Sequence, residues 1–215
     1  MIRAVVFDLD GVLIDSEQVW NEVREELARE RGGRWSERAQ RDMMGMSSPE
    51  WSRYMHEVVR VPGSAEEVNR DVVAQMLDRF AGSPPWVPGA LDVVRRLAER
   101  WPLGLASSSN RELIDAVLSA GGIAELFAAT VSSEEVARGK PSPDVYLETA
   151  RRLGVDPAEC AAIEDSHNGI LSAKAAGMRC LAIPNEHYPP GAVEDAADVV
   201  VGSLGELTPA LIDPR

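Results

Sequence analysis

The stretch Val5-Val6-Phe7-Asp8-Leu9-Asp10-Gly11-Val12-Leu13-Ile14-Asp15-Ser16-Glu17 decides how the rest of the chain is read. Ile2 to Phe7 is a short, mostly apolar run with β-branched residues, the pattern of a strand buried on both faces. It stops at Asp8, and a second carboxylate follows at Asp10. In a regular strand, residues i and i+1 point to opposite faces and i and i+2 to the same one; Gly11 lets the chain turn, so that both acids converge beyond the strand end. That edge is where open α/β sheets bind ligands. Converging carboxylates repel unless a cation or a shared proton neutralises them, and Mg²⁺ is the natural hard cation for oxygen ligands. Taken alone, the two acids read equally well as solvated turn residues.

Outward from this motif the period changes. Val19, Val23 and Leu27 recur every four residues, with Glu and Arg between them, which predicts an amphipathic helix ended by Gly32-Gly33. Two more helices are expected between Ser36 and Val61. Ser64 with Glu67 forms a capping box that opens a fourth, carrying Val68, Val72, Met76 and Phe80. From residue 86 onward strands and helices alternate. A helix is expected over Val87–Arg100 and a strand over Leu103–Ser107, then a helix capped by Asn110. A weak strand at Ala128–Ser132 precedes a helix opened by Ser142-Pro143. Strands follow at Ala161–Ile163, Arg179–Ile183 and Asp198–Val201, with a helix from Asn168 to Gly177 among them. The fold class is therefore α/β, a Rossmann-like parallel sheet core (1–15 and 86–215) with an inserted all-helical cap (16–85).

Three further strand ends carry polar residues. Ser107-Ser108-Ser109-Asn110 offers hydroxyls and backbone N–H groups that can hold a phosphate, although a capping cluster reads the same way. Lys140 stands in Gly139-Lys140-Pro141-Ser142-Pro143. Lys140 and Lys174 are the only lysines in a chain that otherwise uses arginine, so a compact cation is specifically placed there. Glu164 and Asp165 end the next strand, and adjacent acids of this kind are costly to bury without a cation.

These four clusters, in this order, resemble the haloacid dehalogenase superfamily, in the branch of β-phosphoglucomutase and many small phosphatases. The resemblance implies that Asp8 is the nucleophile that accepts the phosphoryl group. It implies that Asp10 is the general acid–base, and that Ser107, with Ser108 beside it, and Lys140 hold phosphoryl oxygens. It implies a Mg²⁺ site formed by Asp8, the Asp10 backbone carbonyl, Glu164 and Asp165. Trp20 and the loop Gly45-Met46-Ser47 correspond to the substrate-selecting part of the cap. That loop reads equally as an ordinary helix connection. The expected activity is hydrolysis of small phosphomonoesters, sugar phosphates among them, through an aspartyl-phosphate. A phosphosugar mutase is the alternative. β-Phosphoglucomutases carry a histidine at the position of Trp20 and an arginine near Ser48, and this chain has neither. No arginine falls between Asp42 and Trp51, and Met43, Met44 and Met46 line that loop instead, so a substrate with one phosphate and a partly apolar or neutral remainder is expected. His56, His167 and His187 are assigned no catalytic part.

A net charge of -13 argues against nucleic acid as a partner. No run of about 18 apolar residues indicates a membrane span, and the opening strand is not a signal peptide. Cys160 and Cys180 adjoin apolar runs and read as buried free thiols. A cytoplasmic monomer acting on a small phosphorylated metabolite is expected.

Overall fold

The apolar run at the start of the chain forms β1 (Ala4–Phe7), and all four of its residues are buried. In this computed structural model, which describes residues 1–185 and 196–214, β1 lies inside a six-stranded sheet. The other strands are β2 (Leu103–Ser107), β3 (Phe127–Ser132), β4 (Cys160–Glu164), β5 (Arg179–Ala182) and β6 (Val199–Val200), in the order β3-β2-β1-β4-β5-β6. Every pairing is parallel, and Val5 sits opposite Leu103 on one side and Ala161 on the other. The two faces of β1 explain its unbroken hydrophobicity. Val5 and Phe7 pack into one core with Leu103, Leu105 and Ile163. Ala4 and Val6 pack into the other with Ala106, Val131 and Tyr146. Both free cysteines are buried in that second core.

Between β1 and β2 the chain forms α1 (Glu17–Glu30), α2 (Glu37–Met43), α3 (Ser48–Glu57), α4 (Ala65–Phe80) and α5 (Ala90–Ala98). The Ser64–Glu67 capping box is present at the start of α4. Helix α5 is shorter than the expected span because Gly89, at φ 81°, sets its start in a left-handed conformation. Where the chain leaves the sheet for α1 and returns after α4, Ile14 and Trp86 form an antiparallel bridge. Asp15 N–H donates to Pro85 at 2.8 Å and Val87 N–H to Leu13 at 3.0 Å, so exit and return lie side by side.

The remaining helices, α6 (Arg111–Ala120), α7 (Asp144–Leu153), α8 (His167–Ala175) and α9 (Pro209–Ile212), follow the strands. Asn110 stands at the N-cap of α6, but its side chain makes no capping bond. Its Oδ1 accepts from Ser48 Oγ at 2.7 Å, and its Nδ2 donates to Asn69 and Glu134. A residue expected to serve its own helix instead ties α3 and α4 to the sheet. His187 lies outside the described residues.

Candidate active site

β1, β2 and β4 are neighbours in the sheet, so Asp8, Ser107 and Glu164 meet at one edge by topology alone. Asp8 N–H still donates to Ile163 O at 3.0 Å, which locks the first carboxylate onto the end of β4. Lys140 reaches in from the loop before α7. Its Nζ lies 2.9 Å from Asp8 Oδ1 and 2.6 Å from Glu164 Oε1, and all three side chains are buried. Tyr146 donates its hydroxyl to the same Glu164 oxygen at 2.7 Å. The second Glu164 oxygen accepts from Asp165 N–H, Ser166 N–H and Ser166 Oγ at 3.1–3.3 Å. Glu164 is thus fully engaged in holding Lys140 and the turn into α8.

Oxygens of Asp8, Glu164 and Asp165 lie within 4.8 Å of one another. Asp165 Oδ1 is buried and has no partner among the described residues. A clustered, partly unsatisfied set of carboxylate oxygens fits a small hard cation. Two glycines make room for it. A Cβ on Gly11, at φ 81°, would stand 1.8 Å from Asp165 Oδ2, and one on Gly169 would stand 1.9 Å from Glu164 Oε1.

Burial raises the Asp8 carboxyl to about 8, with Lys140 opposing the rise and Glu164 and Asp10 adding to it. Burial likewise lifts Asp165 well above the usual carboxylate range, with Glu164 and Asp8 adding to the rise. For Lys140 burial works downward, but Asp8 and Glu164 outweigh it and hold the ammonium above its ordinary value.

Asp10 faces elsewhere. Ser16 Oγ and Trp20 Nε1, the latter at 3.0 Å, donate to its Oδ1. Ser109 Oγ, at 2.6 Å, and Ser107 Oγ, at 3.5 Å, donate to its Oδ2. Four donors, two from the start of α1 and two from the end of β2, fix the second carboxylate. Ser107 is fully buried and accepts from Ser109 N–H, whereas Ser108 and Ser109 line the adjoining cavity of about 220 Å³. Asp8, Asp10, Lys140 and Asp165 line that cavity too, with Trp20, Gly45 and Met46 across from them.

Ser47 does not line it. Its N–H and hydroxyl both donate to Glu50, and its Cβ abuts Gly139 beside Lys140, so it anchors α3. The loop itself holds no arginine, yet α1 brings Arg24 into the same cavity, between Trp20 and Trp51. The expectation of a wall without a cation is corrected there. Glu17, given no role by the sequence, and His167, assigned no catalytic part, also line the cavity.

A family model described as haloacid dehalogenase-like hydrolase matches residues 2–177. Hexitol phosphatase B of Escherichia coli (strain K12) is 36% identical, over 96% of this chain and 95% of its own length. Validoxylamine A 7'-phosphate phosphatase of Streptomyces hygroscopicus subsp. limoneus is 30% identical, over 96% of each. The crystal structure of CbbY from Rhodobacter sphaeroides in complex with xylulose-(1,5)bisphosphate superimposes with a TM-score of 0.86 at 27% identity, covering 99% of this chain and 100% of that one. With its parallel sheet, its carboxylates at adjacent strand ends and a family match over most of its length, the chain belongs to the haloacid dehalogenase-like hydrolases.

Proposed function

We propose that this protein is a Mg²⁺-dependent phosphomonoesterase acting on a small sugar or polyol phosphate, with residues 16–85 serving as the substrate-selecting cap. The observation that carries the reading is the buried Asp8–Lys140–Glu164 arrangement beside the unpartnered Asp165 oxygen. An Asp8 oxygen attacks phosphorus, the bond to the ester oxygen breaks, and Asp10 gives that oxygen its proton. Asp10 then takes a proton from water, which attacks the phosphorus of the aspartyl-phosphate and frees inorganic phosphate and Asp8. Lys140 and Ser108 hold the transferred oxygens, with Ser107 supporting Asp10 from below. Asp8, Asp165 and the Asp10 backbone carbonyl would hold Mg²⁺, with Glu164 beside them. The ion, when bound, offsets the repulsion between Asp8 and the substrate phosphate. Phosphatases among the relatives support hydrolysis over mutase chemistry. No helix among the described residues is long and apolar enough to cross a membrane.

Release of phosphate from p-nitrophenyl phosphate with Mg²⁺, abolished by EDTA, tests the reading. Full activity after exhaustive chelation rules out the metal. The raised Asp8 and Asp165 carboxyls set a further expectation. Below about pH 8 a cation must displace a proton from the site. The Mg²⁺ concentration at half-maximal activity should therefore rise as pH falls from about 8 to about 6, by up to about tenfold per unit for each proton displaced. A metal requirement that does not change with pH contradicts this. Asp10→Asn should lower kcat by roughly 10²–10⁴-fold, the usual worth of general acid–base catalysis. Near-normal turnover in that variant removes Asp10 from the proton steps.

A further inference from the structure

Arg24 is 5% exposed, and its guanidinium lies 4.7 Å from the Trp20 ring centre and 4.9 Å from that of Trp51. Its Nε is buried without a hydrogen-bond partner among the described residues. About two turns earlier on α1, Glu17 reaches the same cavity, and its Oε1 is also buried and unpartnered among the described residues. Asn21 engages the Glu17 carboxylate. A buried donor and a buried acceptor left open in one cavity are expensive unless a ligand completes both. An anion would satisfy Arg24 and be repelled by Glu17. An apolar group would satisfy neither. A hydroxyl both donates and accepts, and adjacent hydroxyls can serve the two residues together.

We propose that Arg24 and Glu17 are specificity-determining residues that read hydroxyl groups on a neutral, polyhydroxylated part of the substrate. The proposal rests on the phosphatase reading and deepens it. The Trp20 and Trp51 rings fix the planar fork of Arg24, which lowers the entropy lost when it bonds a ligand.

The test compares glucitol 6-phosphate with n-hexyl phosphate, which has the same chain length and no hydroxyls, and with glucose 1,6-bisphosphate, which adds an anion. In the wild type, kcat/KM for glucitol 6-phosphate should exceed that for hexyl phosphate by about 100-fold or more, because a hydroxyl-free chain leaves both groups unpaired. Arg24→Met and Glu17→Gln should each shrink that ratio by about tenfold or more, mainly through KM, and Arg24→Lys should restore part of it. Equal hydrolysis of both compounds by the wild type overturns the proposal while leaving the phosphatase reading intact. So does an Arg24→Met variant that loses both activities by one factor together with melting temperature, since that is the mark of a strut between two tryptophans. A bisphosphate preference that vanishes with Arg24 overturns it in favour of an anion clamp. If the wild type hydrolyses none of these compounds and releases no phosphate from p-nitrophenyl phosphate, the phosphatase reading fails by itself. The thermal shift of Asp8→Asn by glucitol 6-phosphate against hexyl phosphate then decides the proposal without turnover: a larger shift with the polyol, lost in Asp8→Asn/Arg24→Met, supports it, and equal shifts overturn it.

Discussion

Asp8→Asn should reduce turnover by on the order of 10⁶-fold, the scale of losing a covalent nucleophile. The amide keeps the volume of the carboxylate and its place at the end of β1, where Asp8 N–H bonds Ile163. The fold should therefore survive. The buried site, moreover, loses one of its clustered acids. An ionised Asp8 is held against its own desolvation, so a neutral side chain there should leave the melting temperature unchanged or higher. Rapid quenching of the wild type with a radiolabelled phosphomonoester should leave label on the protein, and the variant should take up none. Retained activity in purified Asp8→Asn would sink the aspartyl-phosphate mechanism.

Lys140→Met should be costly to both stability and activity. The ammonium is the only cation within reach of Asp8 and Glu164 among the described residues, at 2.9 and 2.6 Å. Methionine can still fill the space beside the Tyr146 ring, which Lys140 overlies at 5.1 Å. What it cannot do is compensate two buried carboxylates, and breaking a buried pair in this way costs about 3–5 kcal/mol. The sign with pH follows from protonation. Without the ammonium, nothing offsets the burial that raises the Asp8 carboxyl above its unfolded value, so that group is neutral and cheap at low pH. The stability deficit should then be small near pH 5 and grow toward about pH 8. Urea unfolding of both proteins at the two pH values measures it. A deficit independent of pH would mean that Lys140 acts through packing and not through charge.

Much of this site is legible in the chain because strand ends announce themselves. Asp8, Ser107 and Glu164 each follow a short apolar run, and parallel pairing of those runs brings them together without any knowledge of side-chain geometry. Lys140 stands out because lysine is rare here. Arg24 is hidden for the opposite reason. It sits between Val23 and Leu27 in a helix rich in Glu and Arg, so it reads as part of a solvated face. The available signal was spacing: Trp20 and Arg24 are four residues apart, and Glu17, Trp20 and Arg24 share one side of α1. What no local pattern contains is that this side faces the sheet edge. Asn110 misled in a related way. Its position fits a helix cap, but a tertiary partner, Ser48, outcompetes its own backbone.

The bridge between Ile14 and Trp86 has a kinetic consequence. β1 pairs with β2 through Val5 and Leu103, a contact between residues far apart along the chain. Closing so long a flexible loop before any reward would slow assembly of the sheet. The helices between them make their contacts locally, α3 with α4 and α1 with α4. Once those helices associate, residues 14 and 86 are held close and the loop is short-circuited. The entropy of pairing β1 with β2 then becomes that of a tight connection. The segment from 16 to 85 is thereby a folding aid for the sheet as well as a wall of its cavity.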